Sequence, residues 1–344
     1  MHIFAPTVQF PALVHAGTLT SVPSVSLPGR PEYQVSVGMS PRVIDELDRF
    51  RPTIVHIATP DILGLQALAY ARIRKIPVVA SYHTHFSSYL SFYHMDRFEG
   101  LAWAYLRWFY KKCEHVYVPS RSMAKVLSDH GIEEGVELWP RGVDITMFHP
   151  DKRSMEWRRE KGFGDDEIVI SFISRLVLEK GLAIYADVIQ ALKESGKKVR
   201  VLVVGTGPAE SLLRDRFPRA VFLGHLTGNE LAMAYASSDI FLFPSATETF
   251  GNVTLEAMAS GVPALCANAT GSSSLVVHDE TGYLAEPGDV DSFIRYALNL
   301  VDDEEKRRLM SIASRREAES YSWRLILGRI NGFYDKILVR PEAA

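Results

Sequence analysis

Residues 240–267, which read IFLFPSATETFGNVTLEAMASGVPALCA, contain two short apolar runs separated by a helix-length segment. The runs are Ile240–Phe243 and Pro263–Ala267, and short apolar strands that alternate with helices are typical of a parallel sheet covered by helices. Further runs of this kind precede the stretch at Ile168–Ile173 (IVISFI), Val199–Val204 (VRVLVV) and Ala220–Leu223. The C-terminal half is therefore predicted to form a Rossmann-like α/β domain.

The N-terminal half carries a second series of the same kind. Its predicted strands are Thr53–Ala58, Pro77–Ser81, His115–Pro119 and Val136–Trp139. Helical patterns lie between them at Leu63–Arg74 and at Arg121–His130, and Gly131 closes the second of these helices. This series predicts another α/β domain.

A turn-rich, charged segment near residues 144–166 joins the two series. We therefore expect two Rossmann-like domains, residues 1–144 and 145–325, which face a cleft. Residues 326–344 belong to a last helical stretch, Trp323–Leu338, which is a candidate for crossing back onto the first domain.

The composition is that of an ordinary globular protein, with 344 residues, 47% hydrophobic residues and a formal charge of −3. This charge argues against broad, sequence-independent binding to nucleic acid. Cys113 and Cys266 lie far apart in apolar surroundings, which disfavours a disulfide framework or a zinc site and favours a cytoplasmic environment. No stretch approaches the roughly 18 apolar residues of a transmembrane helix, and the first residues lack the pattern of a signal peptide.

Two cations follow the predicted strand IVISFI. Arg175 and Lys180 stand five residues apart, at the end of the strand and the start of a helical segment. There they can converge with free N–H groups of a helix on one anion, for which a pyrophosphate is the obvious candidate. The alternative is a solvated Arg–Lys pair on a surface turn.

Two carboxylates, Glu248 and Glu256, follow the predicted strand IFLF and bracket Phe250, Gly251 and Asn252 at a predicted helix start. A glycine there permits close approach to the backbone, and the exposed amides can bind sugar or phosphate oxygens. Glu256 is predicted to accept hydrogen bonds from a ribose diol, since a solvated glutamate is unnatural within the run VTLEAMASGVPAL. The alternative is that Glu248 caps the helix and Glu256 faces solvent.

Two histidines, His83 and His85, follow the predicted strand PVVAS of the first domain. His83 is predicted to point into the cleft and to donate to a substrate oxygen. The alternatives are a structural histidine, or a metal site whose further ligands we cannot identify.

Two other motifs suggest chemistry that the surrounding residues do not support. Gly205-Thr206-Gly207-Pro208 does not complete Gly-x-Gly-x-x-Gly, because residue 210 is a glutamate. Asp289 and Asp291 resemble a metal-binding pair, but helix capping explains them better. We expect no metal requirement.

Taken together, these segments resemble the GT-B glycosyltransferases of family 4, a group that includes sulfoquinovosyl, mannosyl and glucosyl transferases acting on lipids and glycans. The matching segments follow the family's order over about residues 50–325: YHTHFSSY, VPSRSM, RGVDITMF, SRLVLEKG, VVGTGP, FLGHL, YASSDIFLFPSATETFGNVTLEAMASGVP and ETGYLAEPGD. The two glutamates within PS…ETFG…LEAMASG form a highly specific signature.

The resemblance implies a donor site in the C-terminal domain. Arg175 and Lys180 would hold the diphosphate of a UDP- or GDP-sugar, and Glu256 would hold the ribose hydroxyls. Leu226, after FLGHL, would lie against the base.

The resemblance also implies contacts to the transferred sugar. Glu248 would contact this sugar, helped by backbone amides around Phe250–Asn252. His83 would face the sugar and the acceptor from the N-terminal domain.

The same resemblance implies that a mannose- or glucose-type hexose passes to a lipid or glycan acceptor with retention of configuration and without a metal or other cofactor. The transition state is expected to be oxocarbenium-like, with the departing phosphate accepting the acceptor's proton. The sequence does not choose between UDP and GDP, nor among sugars and acceptors. Two alternatives remain: a nucleotide-sugar epimerase of GT-B fold, against which the cation and glutamate motifs argue, and a donor-binding homologue with weak or no activity.

Two features depart from the family's pattern. Ser174 stands where a glycine is usual, and His2–Ala5 looks like the third strand of the first domain. Family members begin earlier, with a strand and a glycine-rich loop that reaches over the donor. About fifty residues are therefore expected to be missing. Either the start of the chain is misassigned, or the first domain is incomplete, with an exposed sheet edge and a smaller core. Marginal stability and weak activity would follow.

Residues Arg97–Lys112 (RFEGLAWAYLRWFYKK) are rich in aromatic side chains and end in two lysines. Such a helix can rest on a membrane interface and give an enzyme access to a lipid acceptor. This would make the protein peripheral at the inner membrane face. The alternative is that the aromatic side chains pack inside the domain.

Overall fold

The computed structural model describes residues 1–8, 17–27, 30–83 and 99–339, which fold into two compact units. The first unit comprises Met1–Val118, Ala124–Leu138 and the chain from Ile330 onward, and the second comprises Pro119–Met123 and Trp139–Arg329. Each unit contains a parallel sheet with helices between its strands. The predicted α/β class is therefore confirmed.

The described residues contain fourteen strands: β1 (His2–Ala5), β2 (Thr18–Ser21), β3 (Ser24–Leu27), β4 (Arg30–Ser36), β5 (Val55–Ile57), β6 (Val78–Ser81), β7 (His115–Val118), β8 (Val136–Leu138), β9 (Ile168–Ile173), β10 (Val199–Val204), β11 (Val221–Phe222), β12 (Ile240–Phe243), β13 (Ala264–Ala267) and β14 (Gly282–Ala285).

The same residues contain twelve α-helices: α1 (Pro41–Phe50), α2 (Ile62–Ile73), α3 (Glu99–Tyr110), α4 (Arg121–Asp129), α5 (Met155–Glu160), α6 (Leu182–Glu194), α7 (Glu210–Arg216), α8 (Gly228–Ala236), α9 (Asn252–Ala259), α10 (Val290–Asp302), α11 (Glu304–Glu319) and α12 (Trp323–Leu338).

The first unit is built on four parallel strands in the order β5-β6-β7-β8. The distal part of α12 also packs in this unit, where Phe333 stacks on Tyr117 with ring centroids 5.5 Å apart. His56 on β5 lies with Nδ1 2.5 Å from the Tyr334 hydroxyl and Nε2 2.7 Å from the Ser81 hydroxyl. Burial lowers the pKa of His56 to about 4, so this histidine is neutral at physiological pH.

The N-terminal residues add two further strand pairs. β1 pairs with β2 in parallel, and β3 pairs with β4 in an antiparallel hairpin. The sequence analysis predicted only the first of these four strands, because Thr18–Ser21 and Ser24–Leu27 are short and half polar and carry no continuous apolar run.

The second unit is built on six parallel strands in the order β11-β10-β9-β12-β13-β14. The strands β9 and β12 are buried on both faces, which explains why they read as continuous apolar runs. The chain runs outward from β9 through β10 to β11, and then returns to place β12 on the other side of β9. The sheet therefore changes its direction of winding between β9 and β12.

The three central strands end at the same level. Ile173 pairs with Val204, and Ser171 pairs with Phe241, so β9, β10 and β12 stop side by side. The loop after β10 then runs directly over the loop after β9: a Cβ atom on Gly205 would lie 1.9 Å from the carbonyl oxygen of Ser174. Gly205 is thus required for the close packing of two loops. This explains the glycine without a dinucleotide-binding motif.

We expect Gly205→Ala to lower the free energy of unfolding by at least about 2 kcal/mol, because the new methyl group collides with a backbone oxygen and φ is 127°. Gly196 is a matched control, since its φ is 74° but no atom lies within 4 Å of an added Cβ. Gly196→Ala should cost only the backbone term of about 1 kcal/mol. Urea denaturation measures both, and equal losses would contradict the steric explanation.

Candidate functional site

The charged residues singled out in the second unit lie in the loops after β9 and β12, the neighbouring strands between which the sheet reverses its winding. Arg175 and Lys180 follow β9, whereas Glu248 and Glu256 follow β12. In open parallel sheets, ligands bind beyond the carboxyl ends of the strands at such a reversal, because the two loops turn to opposite faces there. The fold thus brings four predicted site residues to one edge of one sheet.

Lys180 and Glu248 form an ion pair across these loops. Lys180 Nζ lies 2.5 Å from Glu248 Oε1, and the two side chains are only 12% and 18% exposed. The Ser245 hydroxyl donates to the same carboxylate oxygen at 3.1 Å. The residue at the N-cap of α9 is Gly251, and no side chain caps this helix. Glu248 therefore does not act as the helix cap that the sequence left as an alternative.

The loop that carries Glu248 is held by its backbone. The Glu248 carbonyl accepts hydrogen bonds from the Gly271 N–H at 2.6 Å and from the Thr270 hydroxyl at 2.5 Å. The Ser120 hydroxyl donates to the next carbonyl, that of Thr249, at 2.8 Å. These bonds fix the path of the loop independently of any ligand.

Helix α9 begins with its first amides open. Gly251 adopts φ 97°, and the absence of a capping side chain leaves the N–H groups of the first turn available to an anion. Phe250 is 4% exposed, with its ring 6.0 Å from that of Tyr321 in the core, so it can contribute only through its backbone. Asn252 is exposed.

Arg175 lies two residues beyond the end of β9 and is exposed. It forms no ion pair with any residue in the described part of the chain. Together with Lys180, it places two cations after the same strand, only one of which is matched by a carboxylate.

Glu256 lies one turn into α9 and is half-buried. Its Oε2 accepts a hydrogen bond from the Tyr235 hydroxyl at 3.0 Å. Burial raises the pKa of Glu256 to about 7, and the tyrosine bond opposes this shift. The alternative of a solvated glutamate therefore does not apply. Tyr235, which donates this hydrogen bond, was not singled out in the sequence analysis.

The remaining predicted residues occupy other positions. Leu226 is half-buried in the loop between β11 and α8 and packs against the core of the second unit. His83 lies two residues beyond β6 in the first unit and is half-buried, whereas His85 lies outside the described residues. The roles of Leu226 and His83 stay predictions.

Asp289 is the N-cap of α10, where it accepts a hydrogen bond from the Ser292 N–H at 3.1 Å. The capping interpretation of the Asp289–Asp291 motif is therefore confirmed. Elsewhere in the described residues, no cluster of three or more His, Cys, Asp or Glu residues is arranged to hold a metal ion.

The aromatic segment forms α3, and Arg97 and Phe98 lie outside the described residues. Trp103, Phe109 and Tyr110 are at most 3% exposed, so packing inside the unit accounts for these three rings. Leu101 and Trp108 are 70% and 48% exposed on the outer face. Within the described ranges, none of the helices combines the length and apolarity needed to span a bilayer.

Two family models match the chain. The model for glycosyltransferase family 4 matches residues 1–146, and the model for glycosyl transferases group 1 matches residues 154–317. The second match contains all four charged residues at the reversal of the sheet.

Several characterised proteins are similar over most of the chain. The sulfoquinovosyl transferase SQD2 of Arabidopsis thaliana is 36% identical over 311 residues, which make up 87% of this chain but 60% of the plant protein. A GDP-mannose-dependent alpha-mannosyltransferase of Corynebacterium glutamicum is 30% identical, with 94% of this chain and 77% of that protein covered. Its counterpart in Mycolicibacterium smegmatis is 34% identical, with 87% and 78% covered.

Solved structures share the fold at low sequence identity. Sucrose-phosphate synthase from Thermosynechococcus elongatus aligns with a TM-score of 0.75 and 16% identity, covering 99% of this chain and 89% of its own. The Anabaena protein HepE in complex with UDP-glucose aligns with a TM-score of 0.68 and 20% identity, covering 93% and 86%. This chain therefore has the same fold as these two proteins.

The raised pKa of Glu256 predicts a pH-dependent stability. The folded chain holds this proton up to about pH 7, whereas the unfolded chain releases it near the usual value of 4.5, so the free energy of unfolding falls as pH rises between the two values. Glu256→Gln should therefore gain about 1 to 2 kcal/mol relative to the unmodified chain between pH 5 and pH 8, allowing for partial exposure. The exposed Glu280 is the control, and Glu280→Gln should show no such trend. Urea denaturation at the two pH values gives both results, and a constant difference for Glu256→Gln would contradict the assigned shift.

Proposed function

This chain belongs to glycosyltransferase family 4, and from that membership we propose that it transfers a hexose from a UDP- or GDP-sugar to a hydroxyl group of a lipid or glycan. The observation that carries the proposal is the Lys180–Glu248 ion pair beside the open end of α9, at the reversal of the sheet. Relatives named for a GDP-mannose donor and for sulfoquinovosyl transfer support a nucleotide-sugar donor of this kind. The chain spans 60% of the length of the plant relative. The donor and the acceptor are therefore proposed only by chemical class.

The donor diphosphate is proposed to bind between Arg175, Lys180 and the first amides of α9. An ammonium group has three N–H donors, so Lys180 can keep its bond to Glu248 and still donate to phosphate oxygens. Arg175 supplies the unmatched positive charge, and the helix end adds N–H groups and a partial positive charge. Charge that develops on the leaving group is thus stabilised by groups already in place.

The nucleoside is proposed to bind farther along α9. The ionised Glu256 accepts hydrogen bonds from the ribose hydroxyls, and Leu226 packs against the base. Glu248, fixed by Lys180 and Ser245, contacts the hydroxyls of the sugar that is transferred.

In the proposed reaction, the bond between C1 of the sugar and the phosphate oxygen breaks, and a bond forms between C1 and the acceptor oxygen on the same face of the ring. The acceptor's proton passes to the departing phosphate oxygen, so the product keeps the donor's anomeric configuration. Arg175, Lys180 and the helix amides provide the charge compensation that a divalent cation supplies in other transferases. We therefore propose that no metal ion is required.

The expected activity is release of nucleoside diphosphate from one member of a panel of UDP- and GDP-sugars, in the presence of EDTA and followed by chromatography. Arg175→Ala and Lys180→Ala should each lower kcat/KM by roughly 100-fold, because each removes a charged donor from the leaving group. Lys198 is the matched control: it is 73% exposed, pairs with Asp166 and immediately precedes β10, at the opposite end of the strands.

Lys198→Ala should stay within about twofold of the unmodified chain, as expected for an exposed ion pair. A loss for all three variants would indicate a general effect of surface charge rather than a donor site. Activity that appears only after a divalent metal is added would contradict the metal-free mechanism. An inverted anomeric centre in the product, read by NMR, would contradict transfer on one face.

We further propose that α3 contacts an anionic membrane surface, which would bring the enzyme to a lipid acceptor. Leu101 and Trp108 are exposed on its outer face, and Lys111, which directly follows the helix, is also exposed. Lys112 Nζ lies 4.9 Å from the centre of the Trp108 ring. An aromatic and aliphatic face beside lysines suits the boundary between acyl chains and acidic headgroups.

The double variant Leu101→Ser, Trp108→Ser should lose flotation with vesicles of phosphatidylcholine and phosphatidylglycerol, because it removes the apolar face and leaves the lysines. The control is Leu309→Ser, Ile312→Ser on α11, where the two side chains are 53% and 56% exposed. If both double variants float like the unmodified chain, or if the unmodified chain does not float, the membrane contact is wrong.

A further inference from the structure

Tyr235 is a buried side chain that reaches the candidate donor site. Its relative exposure is 0%, and its ring lies between Phe148 and Phe241, at centroid distances of 5.8 and 6.0 Å. These packed neighbours restrain the ring, and with it the position of the hydroxyl group. This hydroxyl donates to Glu256 Oε2 at 3.0 Å.

Resting on the proposed function, we propose that Tyr235 is a positioning residue for the donor. It holds the Glu256 carboxylate in one orientation and favours its ionised form, which then accepts hydrogen bonds from the ribose of a nucleoside diphosphate. Tyr235 itself touches no substrate in this arrangement, since its hydroxyl is directed at the glutamate.

The ionised form needs this support because Glu256 is half-buried. Burial raises the pKa of Glu256 to about 7, so near neutral pH the carboxyl group is divided between its two forms. A protonated carboxyl group has an O–H that competes with the ribose hydroxyls as a donor, whereas a carboxylate accepts on both oxygens. A hydrogen bond from Tyr235 stabilises the charged form and acts against the effect of burial.

The other elements packed against α9 supply no comparable partner among the described residues. These elements are α8, α11, β12 and β13. Arg315 on α11 donates to the Ala259 carbonyl, at the far end of α9. Cys266 on β13 faces the Thr254 hydroxyl at 3.7 Å, and β12 is entirely apolar. Among these elements, α8 therefore supplies the side chain, Tyr235, that opposes the effect of burial on Glu256.

The ion pair of the candidate site involves the loop that leads into α9. Lys180 and Glu248 are bonded to each other, and Glu248 lies in the loop that precedes α9. Their charges are opposite and adjacent, so they largely cancel at the distance of Glu256.

The test compares Tyr235→Phe with Tyr185→Phe. Tyr185 is also fully buried in the second unit, but its hydroxyl donates to the Ile170 carbonyl at 2.9 Å. Both variants remove one buried hydroxyl group and one hydrogen bond, so they share the structural cost and differ only in the bond to Glu256. Circular dichroism and thermal melting confirm that each variant is folded.

The first readout requires no ligand. The carboxyl carbon of Glu256 is followed by NMR in chains labelled at glutamate, with the resonance assigned by its loss in Glu256→Gln. We expect Tyr235→Phe to raise the titration midpoint by about one pH unit, and Tyr185→Phe to leave it unchanged. An unchanged midpoint in Tyr235→Phe would overturn the proposal.

The second readout is the affinity for UDP and for GDP, measured by calorimetry between pH 6 and pH 9. If only the ionised form binds, a midpoint that moves from about 7 to about 8 weakens binding at pH 7 by about fivefold. At pH 9, Glu256 is almost fully ionised both in the unmodified chain and in Tyr235→Phe. The variant should therefore recover nearly the affinity of the unmodified chain. A purely structural defect would persist at pH 9, as would any loss in Tyr185→Phe.

The two readouts separate this inference from the proposed function. A shifted carboxyl titration with no binding of either nucleotide would support the pairing of Tyr235 with Glu256 and contradict the donor site. Nucleotide binding whose pH dependence is the same in Tyr235→Phe and in the unmodified chain would support the donor site and overturn the role of Tyr235.

Discussion

The reversal of the six-stranded sheet between β9 and β12 is the constraint on which the candidate site depends. Two adjacent parallel strands end at one level, and the chain leaves them toward opposite faces of the sheet. Their alignment is secured by fully buried rings, such as Phe172 and Phe243, whose centroids lie 5.7 Å apart. Charged side chains from two distant parts of the sequence therefore meet in the loops beyond these strands, while the strands themselves stay buried.

The charges at this edge are partly compensated within the protein. Lys180 and Glu248 neutralise each other in a poorly exposed position, where either charge alone would be costly to bury. Arg175 is exposed and unmatched among the described residues, and the end of α9 adds a partial positive charge. The result is a neutralised, poorly exposed ion pair and an exposed cation after the same strand, an arrangement suited to a polyvalent anion.

The elements that could be predicted from the sequence include the strands formed by continuous apolar runs. β9, β10 and β12 and the last helix α12 have the bounds predicted for them, whereas β14 (GYLA) was missed because it is short and begins with a glycine. The order of the strands, and with it the proximity of Lys180 to Glu248, depends on packing between segments 68 residues apart. Tyr235 escaped prediction for a related reason: its ring reads as core, and nothing local indicates that its hydroxyl faces a carboxylate 21 residues later.

The division of the first unit among separate parts of the chain has a consequence for synthesis on the ribosome. The second unit is complete once Arg329 has been made, whereas the first still lacks the segment from Ile330 onward. Until that segment emerges, His56 has no Tyr334 hydroxyl and Tyr117 has no Phe333 ring to stack on. The N-terminal unit, although translated first, can therefore close only after the segment from Ile330 onward has emerged.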